Sequence, residues 1–529
     1  MTSSHQFKEF LNTFVPAVAA KSRQANKAVW ILETTGAADA ADLKAELDTA
    51  LRMLFNDRKT YEKLLAWDRE PLDPLLKRQL NVLIRTFKQN MIPQPLLEEI
   101  AQKEAALSQV YATYRPEIKG KKVSENEIRE LLKNENDVAA RKLAWEASKE
   151  IGSILAPRIL ELVALRNKAA QSLGYCDYFT MQLDLQEVDA NWLQATLDDC
   201  ACSSAPAYRE VMKEVQQQLS HRFHVPAEQL GPQIGPWAWS EPFCQEDPLD
   251  CQELDTLVDH IDIPAVSRGF YQKMGIEVHP ILERSDMFER PGKNQHAFCI
   301  NIDRSGDVRT LNNVKSSIKW LETVLHELGH AIYDVGYDPQ LPWLLKEPPH
   351  MITTEAMALI AGRQAYRYAS LKHLLNAPEK EPLMKKAEVS LKRRQLIFSR
   401  WVLVMTAFER ELYKEPAQDL NTLWWGLVEK YQQIPAPQGR QGKNDWAAKY
   451  HIGLAPVYYF SYLLGEMFAS DIENALLKAT GSVEISTPQA GEFLHKKLFI
   501  PGNRMSWSAL VEHVSGKPLC PKAWVSQFS

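Results

Sequence analysis

Residues Leu321–Asp334 read LETVLHELGHAIYD, and what this stretch is decides the fold around it. Leu321, Val324, Leu325, Leu328, Ala331 and Ile332 recur at spacings of one and three, which predicts a helix buried along one face. Three titratable groups interrupt that face: His326, Glu327 and His330. On a helix the two histidines lie one turn apart and project from the same side, so both imidazoles can reach one ion. Glu327 is offset around the helix, where it can hydrogen-bond a water on that ion without ligating it. A lone histidine on an apolar face is more often a satisfied core residue. The HExxH spacing shifts the reading to a metal site.

A catalytic zinc needs a third protein ligand and keeps its fourth position open. The extended form of the motif places a histidine six residues past the second one, but residue 336 is glycine. Asp334 is eight residues past His326, about 12 Å along the axis, too far for an ion held about 2 Å from each ligand. The ligand must come from another element. Beyond the proline-rich loop YDPQLPWLLKEPPH, the segment MITTEAMALIAGRQAYRYASLKHLL predicts a new helix. Glu355 stands near its start, followed by the apolar run Ala356–Ala361, and a buried carboxylate there needs a partner. Glu355 is the first candidate and His350 the second.

Outward from this helix the pattern stays helical. DLKAELDTALRMLFNDRKTYEKLLAW and PQPLLEEIAQKEAALSQVYATY repeat apolar residues at helical spacing, and Ser124 with Glu127 has the form of a capping box. IEVHPILER and HAFCINIDRSGDVRTL, separated by PGKN, predict a strand pair just before the histidine helix. The expected fold is mainly α, with a small sheet beside the HExxH helix.

The chain has 529 residues, 45% of them hydrophobic, and a net charge of −5. That material suffices for a large core and gives no electrostatic footprint for nucleic acid or a membrane surface. No apolar run reaches the roughly 18 residues of a membrane span. The N-terminal segment carries Lys8 and Glu9 where a secretory leader would be apolar. Seven cysteines (Cys176, Cys200, Cys202, Cys244, Cys251, Cys299 and Cys520) form no CxxC unit, which argues against a disulfide scaffold. A cytoplasmic location is the expectation from these features.

With HELGH followed 25 residues after His330 by Glu355, the chain resembles the gluzincin peptidases of the angiotensin-converting-enzyme (M2) and thimet-oligopeptidase (M3) type. Three further stretches carry the resemblance: KYHIGLAPVYYFSYLLGEMFASDI (449–472), NQHAFCINID, and the helical body around RNKAAQSLGYCDYFTMQLDLQEVD and the C-terminal KKLFIPGNRMSWSALVEHVSGKPLCPKAWVSQF. The resemblance implies one peptidase unit over 1–529: a helical N-terminal lobe over about 1–165 and a catalytic region over about 166–529, with a deep substrate cleft. The zinc site would fall within 296–362 and a substrate-binding tyrosine segment within 449–466. It also implies one Zn2+ per chain on His326, His330 and Glu355, with Glu327 as the general base. Tyr462 would stabilise the oxyanion with help from His451, while His296 and Ala297 would bind the substrate backbone. Lys449 and Tyr459 would hold a terminal carboxylate.

Departures qualify that picture. The tyrosines are shifted by one residue relative to His451. The family's chloride-binding arginine falls at Ser461, its carboxylate-binding glutamine at Trp239, and an acid that orients the ligands at Leu359. The implied activity is zinc-dependent hydrolysis of short peptides, with peptidyl-dipeptidase action first and an oligoendopeptidase of the same fold as the alternative. A metallocarboxypeptidase suits Asp307–Thr310 (DVRT), but its HESQ around the third ligand is replaced by TTEA. A non-catalytic zinc-stabilised peptide-binding protein would have no use for Glu327. No nucleic-acid or membrane partner is expected, and the sequence leaves the oligomeric state open.

Overall fold

Aspartates set just before apolar runs start much of this fold. The computed structural model describes residues 3–226, 235–249, 252–482 and 484–528. In it Asp57 accepts the N–H groups of Lys59 and Thr60, Asp73 those of Leu75 and Leu76, Asp137 that of Ala139, and Asp189 that of Trp192. Each such cap is worth about 1 kcal/mol. Asp57 divides the periodic run 42–67 between helices Ala38–Phe55 and Arg58–Asp68. Asp137 likewise separates Glu125–Asn134 from Val138–Ser172, and the Ser124–Glu127 capping box is formed.

The fold is mainly α, and its β content among the described residues is two two-stranded antiparallel sheets. One pairs Glu117–Ile118 with Lys121–Lys122 across Lys119 and Gly120, both at positive φ (50° and 79°), as a two-residue hairpin turn requires. The other pairs Phe298–Asn301 with Val308–Leu311, with Phe298 opposite Leu311 and Asn301 opposite Val308. Here the structure corrects the sequence reading. The hairpin lies wholly inside 296–311, whereas within 276–284 the segment His279–Arg284 is a short helix. Pro280 sits in its first turn, where the missing N–H costs nothing, and His279 pairs with Glu283 one turn on at 3.2 Å. The hairpin closes locally because Asp303 Oδ1 accepts the N–H groups of Ser305 and Asp307 at 2.8 and 3.1 Å.

The chain divides into two contact-dense units. One comprises Met1–Met91, Cys251–Glu388 and Leu464–Trp524, the other Ile92–Asp250, Val389–Leu463 and Val525–Ser529. The first unit has an N-terminal core of Phe7, Leu64, Leu80, Leu83 and Phe87, all fully buried. Its HELGH helix, Ile318–Val335, packs on helix Met351–Arg363 and on the 298–311 hairpin. In the second unit, the long helix Val138–Ser172 packs on Gln94–Thr113 and on the turn Asp445–Ala448. Trp145, Trp401 and Trp446 are fully buried there. The six described cysteines are free, and Cys251 lies outside the described residues. No helix among the described residues is long and apolar enough to cross a membrane.

Candidate metal centre

The HELGH helix starts at Ser317, whose side chain accepts the Trp320 N–H. Its glycine sets how close the next helix can come. A Cβ built on Gly329 would stand 2.8 Å from Ala358 Cα, 3.2 Å from the Met357 carbonyl oxygen and 3.2 Å from Ala361 Cβ. Backbone atoms cannot swing aside as a flexible side chain can. Gly329 therefore lets helix 318–335 lie directly against helix 351–363, which is what brings Glu355 to the histidines. Alanine is the better helix former by about 1 kcal/mol, but overpacking costs about 1–3 kcal/mol. Gly329→Ala is accordingly expected to lose both stability and zinc, measured by urea unfolding and metal content. A variant unchanged in both would show that the helix pair yields freely.

The Nε2 atoms of His326 and His330 lie 3.6 and 3.9 Å from the two Glu355 oxygens, and one donor atom from each residue falls within 4.8 Å of the others. Donors about 2 Å from a tetrahedral ion stand about 3.3 Å apart. The three residues thus fit zinc after a small contraction, and two imidazoles with one carboxylate are a donor set that zinc takes. Asp334 is engaged elsewhere, accepting the Tyr337 hydroxyl at 2.6 Å. His350 is the N-cap of the Glu355 helix, its Nδ1 accepting the Ile352 N–H at 3.0 Å. The cluster among the described residues that could hold an ion contains Glu355 and not His350.

Burial pushes the His326 imidazolium down to about 4, opposed by the charge of Glu466, and holds His330 well below its ordinary value, helped by His326. Both rings are therefore neutral, the form a metal requires. Burial, then the neighbouring Glu355 charge, raises Glu327 to about 8. A bound divalent cation would pull it back toward the carboxylate. Leu359, where the resemblance looks for an orienting acid, has no polar atom to offer. The group that meets a ligand ring instead is Thr354, whose Oγ1 lies 2.6 Å from His330 Nδ1. Helix Phe460–Thr480 approaches through Gly465, where a Cβ would stand 3.1 Å from Glu355 Cβ. Arg363 bonds Glu466 and reaches Glu473 Oε2 at 3.1 Å.

His296 and Ala297 lie immediately before strand Phe298–Asn301, His296 exposed and Ala297 half-buried. The His296 N–H donates to Asn294 Oδ1 at 2.9 Å. These residues share the first unit with the triad.

The remaining sequence candidates belong to the second unit, where they gather in one cluster. Lys449 is 8% exposed, its Nζ 5.1 to 5.8 Å from the ring centres of Trp401, Phe243 and Tyr459. It donates to Gln245 Oε1 at 3.1 Å. Burial lowers the ammonium to about 8, opposed by the charge of Glu241. Glu241 in turn fixes the loop that carries Gln245, accepting the Phe243 and Gln245 N–H groups at 2.8 and 2.6 Å. The ring centre of His451 lies 4.8 Å from that of Tyr459, which is 5.5 Å from that of Tyr462. Val457 takes φ +58°, a strained position for a β-branched residue. Its N–H is held by Glu409 Oε1 at 2.9 Å, and this bend re-aims the chain just before the tyrosines. Gln245 is a polar contact the sequence reading missed. Trp239, where the resemblance looks for a carboxylate-binding glutamine, is 4% exposed and gives its carbonyl to Arg141 at 3.0 Å. No local pattern joins residues 245 and 449.

A family model described as angiotensin-converting enzyme, peptidase family M2, matches residues 1–522. Among individual proteins, the chain is 23% identical to the angiotensin-converting enzyme-like protein Ace3 of Mus musculus, over 76% of this chain and 59% of the relative. It is 24% identical to the angiotensin-converting enzyme of Oryctolagus cuniculus, over 75% of this chain and 32% of the relative. With the enzyme of Mesocricetus auratus the match is 23% over 99% of this chain and 42% of the relative. The chain thus spans less than two thirds of the length of each of these relatives. Together with a His-His-Glu cluster of zinc-binding geometry, the match across nearly the whole chain shows that it belongs to the angiotensin-converting-enzyme family of peptidases.

Proposed function

We propose that the chain is a zinc-dependent peptidase that removes dipeptides from the free C-termini of short peptides, with one zinc per chain. The observation that carries this reading is the cluster of His326, His330 and Glu355 within 4.8 Å, with Glu327 buried beside it. A zinc ion held there would supply Lewis-acid polarisation of the scissile carbonyl and make water a nucleophile near neutral pH.

Glu327 takes the proton of the attacking water and delivers it to the leaving amine. The family resemblance assigns Tyr462 to hydrogen-bond the developing oxyanion, which a phenol does without bringing charge into the ground state. The same resemblance gives His451 a supporting part there, and His296 and Ala297 the substrate backbone. Lys449, Gln245 and Tyr459 form the terminal-carboxylate subsite. A buried ammonium among three aromatic rings, beside one neutral amide, suits an incoming carboxylate that replaces water.

Matched peptides with free and amidated C-termini test this subsite. Leaving a buried charge without its partner costs about 2–5 kcal/mol, so free peptides are expected to be favoured by about 30-fold or more in kcat/KM. Lys449→Ala should remove the preference. It should also fade above about pH 8, where the free enzyme's Lys449 loses its proton, while amidated peptides show no such limb. Equal cleavage of both peptides by the wild type would favour the oligoendopeptidase reading.

A further inference from the structure

We infer that Thr354 is the residue that orients the zinc-ligating ring of His330, in place of the acid that Leu359 cannot supply. The inference rests on the metal site proposed above and deepens it.

The ring presents Nε2 to Glu355 at 3.9 Å and turns Nδ1 toward Thr354 Oγ1 at 2.6 Å. A histidine that gives its Nε2 lone pair to a metal must carry its proton on Nδ1. Nδ1–H therefore donates and Thr354 Oγ1 accepts. That bond fixes the tautomer and the ring angle together, as the outer partners of metal-binding histidines generally do.

Thr354 is well placed to hold still. It is 6% exposed and directly precedes Glu355, so one turn of helix 351–363 supplies both a ligand and the anchor of another. The start of that turn is fixed by the His350 cap and by the Thr353 hydroxyl, which donates to the His350 carbonyl at 2.8 Å. Its branched Cβ restricts Oγ1 to few rotamers. A hydroxyl differs from a carboxylate in one respect that matters here. It orients the ring but adds no negative charge, so it makes the imidazole less basic toward the metal than an acid would.

Zinc affinity of chelator-stripped protein, measured by competition with a chromophoric chelator, separates this role from simple packing. Thr354→Val keeps the shape and removes the acceptor, and is expected to raise the zinc Kd about 10–100-fold. Thr354→Ser restores the oxygen and should bind close to the wild type. Metal-free melting temperatures report whether either variant folds. A Thr354→Val protein that binds zinc like the wild type, or a Thr354→Ser protein as weak as Thr354→Val, would overturn the inference. A wild type that takes up no zinc would instead sink the metal site itself.

Discussion

Glu327→Gln is expected to lower kcat by about 10²–10⁴-fold while zinc content and fold persist. The carboxamide has nearly the shape of the carboxylate, so the packing of the HELGH helix should survive. What disappears is the only group on this helix placed to accept a proton beside the metal without ligating it. A second readout is independent of turnover. With zinc stripped, burial holds Glu327 at about 8, above its ordinary 4.5. In that window Glu327 holds its proton in the folded state and not in the unfolded one, so its own contribution to the stability of metal-free wild type falls as pH rises from about 4.5 through 8. Glu327→Gln lacks this slope. Glu409, also raised to about 8 by burial, contributes equally to both proteins, so the difference between the two melting curves reports Glu327. A mutant with wild-type kcat would remove Glu327 from the chemistry. Identical pH profiles of stability would show that its carboxyl is not shielded.

Glu355→Ala is expected to abolish stoichiometric zinc. Loss of an outer partner already weakens a metal site 10–100-fold, so loss of one of three direct ligands should weaken it by more than about 100-fold. The variant should nevertheless fold. Helix Met351–Arg363 keeps its His350 cap and its packing on helix Ile318–Val335 in that variant. Zinc at 1,000 times its Kd stabilises a folded site by about 4 kcal/mol. The wild type should therefore melt higher with zinc and Glu355→Ala should not respond. Retention of one zinc per chain by Glu355→Ala would remove the ligand assignment.

Both residues were legible as candidates from local pattern, although Glu355 reaches the histidines only through the packing of two helices. HExxH is read from helical periodicity, and the Glu355 carboxylate stands beside an apolar run that would bury it. The Ser124–Glu127 capping box is legible for the same reason, and with the helical periodicity it gives the mainly α architecture. Residues 276–284 misled because isoleucine and valine favour strands, while Pro280 and the His279–Glu283 pair make a helix start there. Gln245 was invisible because its partner is 204 residues away. Thr354 was equally hidden, since its role depends on Gly329 letting two backbones close. The division into two units, each built from separated segments, has no signature in local periodicity at all.

The central claim is most directly tested by mass spectrometry of a short peptide with a free C-terminus, incubated with zinc-loaded, chelated and zinc-restored protein. The expected result is release of the C-terminal dipeptide, lost on chelation, recovered with zinc and absent in Glu327→Gln. Cleavage that survives chelation, or intact peptide in the presence of protein carrying one zinc per chain, would contradict it.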